Sequence, residues 1–355
     1  MKSLVVATWL ALVGMSAQAE PVLRLFNWNN EIAPATLQRF EQHCHCKVVE
    51  DYYGDNEEML DKLAGGSNGY DLVVPTSYAL QALIRQHQLH PLDKATLPNF
   101  KNLHPDYLQQ NRPFDPGNRY GAPLLASLTV LGYNRDKMRQ LAIPTNSWAA
   151  VFEPRYLSRI KGKVAVLDSP RDVLGSALLY LGKDPNSTRQ ADWQAAADVI
   201  RKAKPYWGSF NNQTYTKALA GGDVWLVLGY SNDLYQVMND GNAAKRPFQI
   251  SYSVQKEGNV LGLDNLAILQ GSSQPALAQQ FINFMLDGRN AADVSNLIGS
   301  INPNRAAAPF FSTTARHEPT IMMPPGQQKR ILLKGQTAAQ RQQLEQLWHD
   351  IKLGH

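Results

Sequence analysis

The sequence predicts an α/β protein of two lobes, each an open, mostly parallel sheet flanked by helices, with a cleft between them. Two observations carry this. An apolar strand, a short polar and aromatic loop and an amphipathic helix recur in that order along the chain. The same order returns in the second half of 355 residues, a length that suits two domains of ordinary size and a sizeable core.

Residues 1–19 have the three parts of a secretory signal: Lys2 at the positive start, an apolar middle from Leu4 to Met15, and the small-residue cleavage site Ala17-Gln18-Ala19. The apolar middle, interrupted by Thr8 and Gly14, is shorter than the ~20 residues that span a bilayer. Cleavage after Ala19 leaves Glu20 first, without the cysteine a lipid anchor needs, so the mature protein is expected to be soluble and outside the cytoplasm.

In the first half, Val22-Leu23-Arg24-Leu25-Phe26 runs into Asn27-Trp28-Asn29-Asn30-Glu31, and Pro34 then opens a helix with Leu37, Phe40 and Cys44 on one face. A strand is expected over 47–53 and a helix over 56–64, stopped by Gly65-Gly66. Asp71-Leu72-Val73-Val74-Pro75 leads to Thr76-Ser77-Tyr78 and a helix carrying Leu80, Leu83, Ile84 and His87. In the second half, Lys163-Val164-Ala165-Val166-Leu167 leads to Asp168-Ser169-Pro170-Arg171-Asp172, and Val224 to Leu228 leads to Gly229-Tyr230-Ser231-Asn232-Asp233. In open α/β sheets, ligands collect beyond the carboxyl ends of the strands, where these four loops fall. The Pro- and turn-rich stretches 91–123 and 144–154 read as surface connections, 304–325 as a long irregular segment, and 338–353 as the last helix.

Thirty-five Lys and Arg against thirty Asp and Glu give a net charge of +5. The excess is spread along the chain without basic runs or Arg–aromatic interleaving, so it reads as a solubility property and not as a nucleic-acid surface. The two cysteines lie in His43-Cys44-His45-Cys46, where a helix gives way to a strand. Structural zinc sites separate their ligand pairs so that the chain can wrap the ion. Small buried residues are the first reading of Cys44 and Cys46, with a local disulfide and adventitious metal as alternatives.

No G-x-x-x-x-G-K-[ST] or H-E-x-x-H motif is present, Gly229-Tyr230-Ser231-Asn232-Asp233 lacks the final glycine of G-x-S-x-G, and the eight histidines form no constellation with a nucleophile. What remains at the predicted strand ends is Trp28, Tyr78 and Tyr230 with Asp172, Asp233 and Asp264. Asp172 and Asp233 equally suit helix N-caps, and Trp28 a core aromatic. Together, aromatic faces and carboxylates suit a desolvated alkylammonium ligand, the rings attracting it by roughly 0.5–2 kcal/mol and the acids neutralising it.

Phe26-Asn27-Trp28, Tyr70 to Pro75, Leu92-Asp93-Lys94, Leu124 to Asn134, Tyr180 to Thr188, Gly229 to Asp233, Lys256-Glu257-Gly258 with Asp264, and Asn302 to Ala307 resemble, in order, the periplasmic putrescine- and spermidine-binding proteins of ABC importers. The resemblance covers nearly the whole mature chain. It implies the two-lobed type II periplasmic binding-protein fold, with 20–131 and 254–300 as one lobe and 132–253 and 301–355 as the other. It also implies ligand contacts from Trp28, Asn29, Asn30, Ser77, Tyr78, Asp172, Tyr230, Asp233 and Asp264. Asn29-Asn30 stands where putrescine binders have Ser-Asp, Glu31 where they have tyrosine, Gly262 at a position usually aromatic and Ser300 where a tyrosine often stands. The implied partners are a small cationic ligand and the inner-membrane permease, for a monomer with no cofactor or catalytic turnover. Rival expectations are an ω-amino acid or guanidino ligand in the same cleft, a carboxylate-dependent glycosidase, and a tyrosine-liganded ferric-ion binder. Against the last, alternation along a strand turns Tyr52 and Tyr53 to opposite faces.

Overall fold

A computed structural model describes residues 20–29, 31–212, 214–318, 320–321 and 329–354, apart from the side chain of Asn242. The expected signal segment and Asn30 lie outside the described residues.

Eleven strands form the sheet: β1 (Val22–Trp28), β2 (Lys47–Tyr53), β3 (Leu72–Val73), β4 (Leu89–His90), β5 (Gly121–Asn134), β6 (Val164–Val166), β7 (Ser209–Phe210), β8 (Leu226–Tyr230), β9 (Ile250–Ser253), β10 (Asn259–Leu269) and β11 (Arg330–Leu332). Their order is β2-β1-β3-β10-β5-β8-β6-β7, with β4 and β11 on β10 and β9 on β5. The arms are parallel, β1 with β2 and β3 and β6 with β7 and β8. Antiparallel pairing is confined to the long crossover strands: β10 with β3, β4 and β5, and β5 with β8 and β9.

Strand β1 is apolar on both faces because each face is covered, as in a parallel sheet flanked by helices. Leu23 and Leu25 join one cluster with Phe40, Leu72, Phe281 and Ile282, while Phe26 joins another with Tyr53, Met59, Leu80 and Leu83. Helix starts follow from local chemistry. Pro34 occupies the first turn of Pro34–Cys44, Asp55 accepts from the backbone N–H of Glu58 to open Asn56–Leu63, and Pro170 opens Pro170–Tyr180. A third, larger cluster unites β6, β8 and the second half of β5 with Trp193, Ile200, Phe311, Leu344 and Trp348.

Strand β5 belongs to both arms: Gly121–Leu128 pairs with β10, and Thr129–Asn134 with β8 and β9. Its entry is set by Asp115, whose carboxylate accepts from the backbone N–H groups of Arg119, Tyr120 and Gly121 at 2.9, 2.8 and 2.9 Å. The register of β10 with β5 shifts between Asp264 and Asn265. Such a bulge bends a strand and re-aims its side chains.

Strands β1, β2, β3, β6 and β8 and the last helix, Ala338–Leu353, fall close to where periodicity places them, while β5 and β10 carry no such expectation. The stretches 91–123 and 144–154 differ from the surface connections expected of them. The first buries Leu92, Leu97, Leu103, Tyr107 and Phe114, and the second fully buries Trp148. Their prolines open short helices, at Pro105–Asn111 and Pro154–Leu157, instead of merely breaking structure. The stretch 304–325 holds a 3₁₀ segment Arg305–Phe310 and a helix Thr313–His317 in its described part.

Cys44 and Cys46 form a disulfide with a Cα–Cα distance of 5.2 Å, so the alternative set second to small buried residues is the one observed, while Cys46 is indeed buried. Among the described residues, no cluster of three or more His, Cys, Asp or Glu is arranged to hold a metal ion, and no helix is long and apolar enough to cross a membrane.

Candidate functional site

Trp28, Tyr78, Asp172, Tyr230 and Asp233 lie at strand ends and helix starts facing the space between the two arms, whereas Asp264 lies inside β10 and not at the strand end expected of it. Trp28 ends β1, and its ring lies 4.7 Å from that of Tyr53 at a tilt of 58°. Both rings are pinned at one point, because Trp28 Nε1 and the Tyr53 hydroxyl donate to the Val74 carbonyl at 2.9 and 2.6 Å. Tyr52, one residue earlier on β2, is 49% exposed, so the two tyrosines face apart and form no cluster. Asn29 is an exposed turn residue behind Trp28.

From the second arm, Asp172 in the first turn of Pro170–Tyr180 accepts from three hydroxyls: Thr129 at 2.6 Å, Ser169 at 2.6 Å and Tyr230 at 3.1 Å. Its side chain thus ties β5, its own helix start and the end of β8 together. Asp233 lies in the first turn of Ser231–Ala243 and accepts from the hydroxyl of the buried Tyr215. Burial raises its carboxyl above the ordinary range, opposed by that hydrogen bond.

On β10, the bulge presents Asp264, which forms a bridge with Thr76 at the carboxyl end of β3. Asp264 is 4% exposed, its Oδ1 has no hydrogen-bond partner, and burial pushes its carboxyl up to about 8. The Thr76 hydroxyl is also buried without a partner. Asp233 and Asp264 belong to opposite arms and act on a common neighbour, the buried Glu31, whose carboxyl rises mainly through its own burial and then through the charges of these two acids. Among the described residues, no ion pair engages Asp233, Asp264 or Glu31. An acceptor-rich, desolvated pocket of this kind calls for a cation from outside the chain.

Ser77 and Tyr78 are placed differently. Ser77 is 2% exposed, and its hydroxyl lies against Asn111 Oδ1 at 2.7 Å and the Leu263 carbonyl at 3.2 Å, within the wall behind the cleft. The Tyr78 hydroxyl donates to Glu57 at 3.3 Å, and its ring carries the Arg171 guanidinium 4.3 Å from its centre. Arg171 comes from the other arm, so this contact crosses the cleft and gives the Tyr78 face to a cation of the protein itself. Gly262 is half-buried on β10, and an added Cβ there would meet Ser127 Oγ at 3.1 Å. Ser300 is buried against Ser295 at 3.4 Å.

Sequence reasoning missed Thr76, Tyr215 and Arg171 as parts of this site. Thr76 and Arg171 each adjoin a residue that was singled out, but nothing in their periodicity marks them. Tyr215 lies in a helix of its own, Tyr215–Gly221, and reaches the site only through the fold.

The chain matches the family model described as bacterial extracellular solute-binding protein over residues 35–320. The putrescine/cadaverine-binding protein of Pseudomonas aeruginosa is 43% identical over 353 residues, which cover 99% of each chain. The putrescine-binding periplasmic protein PotF of Escherichia coli (strain K12) is 35% identical over 317 residues, covering 88% of this chain and 86% of that one. Among solved structures, a putative spermidine/putrescine ABC transporter from Listeria monocytogenes superposes with a TM-score of 0.83 at 25% identity, covering 95% of this chain and 100% of the other.

Proposed function

This chain belongs to the bacterial extracellular solute-binding protein family, and from that premise we propose that it captures a polyamine in the periplasm and delivers it to the permease subunits of an ABC importer. The relatives' names support a putrescine-type ligand. The observation that carries the reading is the set of buried acceptors without a cationic partner, Asp264 with Thr76 on one arm opposite Asp233 on the other. One ammonium of a diamine binds there and the second at Asp172 and Tyr230, with Trp28 as the aromatic wall and Asn29 next to it in the chain. Ser77 and Tyr78 support the cleft from behind and from its rim.

In this reading the mature chain starts at Glu20, acts as a monomer and performs no chemistry. One lobe comprises 20–131 and 254–300, the other 132–253 and 301–355, and the ligand is released intact when they part.

Arg171 favours a second reading, in which an ω-amino acid turns its carboxylate toward that guanidinium and its ammonium toward Asp264. Calorimetric titration of refolded, ligand-stripped protein with putrescine, cadaverine, spermidine, agmatine and 5-aminovalerate separates the two. A diamine or triamine is expected to bind tightest. Preference for 5-aminovalerate over every polyamine overturns the first reading in favour of the second.

A further inference from the structure

Glu31 stands in the loop between β1 and the helix Pro34–Cys44, and its position is not an accident of an exposed turn. Ile32, next to it, is anchored in the cluster of Leu23, Leu25 and Phe40, which draws the loop down against the sheet. Glu31 is left 7% exposed, and its Oε2 has no hydrogen-bond partner.

Three further carboxyls lie close enough to act on it. The charges of Asp264, Asp233 and Glu50 all press on its carboxyl, after its own burial, and Glu31 in turn acts on the Tyr53 hydroxyl. Glu50 is satisfied on its own side, accepting from Asn27 Nδ2 at 3.3 Å and the Tyr52 hydroxyl at 3.1 Å. Asp264 and Thr76 are not: like Glu31, each buries an oxygen without a partner. Three orphaned oxygens thus come from three separate chain segments, and no lysine or arginine among the described residues pairs with either acid. A buried polar atom left alone is costly, and native proteins rarely retain several together unless something else fills the place.

We propose that Glu31 is a ligand-contacting, specificity-determining residue that closes with Asp264 and Thr76 around one primary ammonium of the ligand, opposite Asp233. This rests on the reading of the cleft as a polyamine site and adds to it a further carboxylate at one end. That end offers its ammonium the carboxyls of Glu31, Asp233 and Asp264, whereas the end at Asp172 offers one carboxylate that already accepts three hydroxyls. Glu31 also bars a carboxylate-bearing head from its end, so an ω-amino acid can enter in one direction only.

The test is calorimetric titration of wild type, Glu31→Gln and Glu31→Met with putrescine and cadaverine, beside thermal melting of each ligand-free protein. Both variants keep the length of the side chain, and methionine needs no hydrogen-bond partner. Weakening of diamine binding by about tenfold or more, with ligand-free melting unchanged or raised, is the expected result, since truncating one side of a desolvated charge pair is costly while removing a crowded acid is not. Binding within threefold of wild type in either folded variant overturns the role of Glu31. Failure of both variants to fold overturns it too, because the residue is then structural. If wild type itself binds neither diamine, the polyamine reading fails, an outcome distinct from the others.

Discussion

Asp264 is buried where its ionised form is disfavoured. Burial raises its carboxyl to about 8, well above the ~3.9 of an unfolded chain. The folded protein therefore binds a proton more tightly than the unfolded one, and stability from this group is full below about pH 4 and lost as pH rises toward 8. Melting of the ligand-free protein is expected to fall over that window, and Asp264→Asn to flatten the fall while weakening putrescine by about thirtyfold or more. Unchanged pH dependence in Asp264→Asn would assign the titration to another group. Ligand protection should run the opposite way, growing with pH as the carboxylate forms. The positions of Trp28, Asp172, Tyr230 and Asp233 were legible in the sequence because each ends a strand or starts a helix, whereas Asp264 lies mid-strand on β10 and only the resemblance singled it out. Ser77 looked equally placed, yet its hydroxyl turns inward to Asn111. A rotamer decided by a partner 34 residues away leaves no trace in local pattern.

Among elements, the helix Pro170–Tyr180 bears directly on the helix Ser77–Arg85 through Arg171 and the Tyr78 ring, with Glu57 of Asn56–Leu63 at the hydroxyl. The contact joins the two arms, so under the closure proposed above it is expected to favour the closed form. Cation–π contacts at such partly exposed places contribute about 0.5–1 kcal/mol. Arg171→Gln is expected to speed diamine release by roughly two- to fivefold in stopped-flow measurements, with little change in the rate of binding. A slower release would mean that Arg171 repels the ligand instead of latching the cleft. The strands and helices around the four loops, with β2, Asn56–Leu63 and the last helix, could be read from apolar spacing and caps, while the crossover strands β5 and β10 could not. The exceptions, 91–123 and 144–154, hide their buried residues among prolines, so neither the strand period nor the helix period surfaces. Trp148 is buried by contacts from distant chain, its indole donating to the Gly258 carbonyl at 2.8 Å.

For the whole molecule, the two arms meet along β5 and β10, and the closure proposed above is expected to bend that ribbon while the clusters on either side stay packed. Small-angle scattering should show compaction when putrescine is added to stripped protein. An unchanged profile would place ligand capture within one lobe. The two-lobed plan was visible from the repeated strand–loop–helix order, whereas the bulge at Asp264 and Asn265 was not, since a one-residue register shift needs both strands to be seen. The place of β10 in the sheet also governs when the protein can exist at all. Leu72 and Val73 lie between β1 and β10 and find their second neighbours in Ile268 and Ala267, while Gly121–Leu128 waits for the same strand. Pairing so distant in sequence is slow to form, because a long loop must close before any contact rewards it. A chain leaving the ribosome amino end first thus cannot complete its first sheet until residue 269 has been made. Until then the first sheet lacks a central strand, so the growing chain is expected to stay short of its native fold, a state in which a polypeptide can be threaded across a membrane.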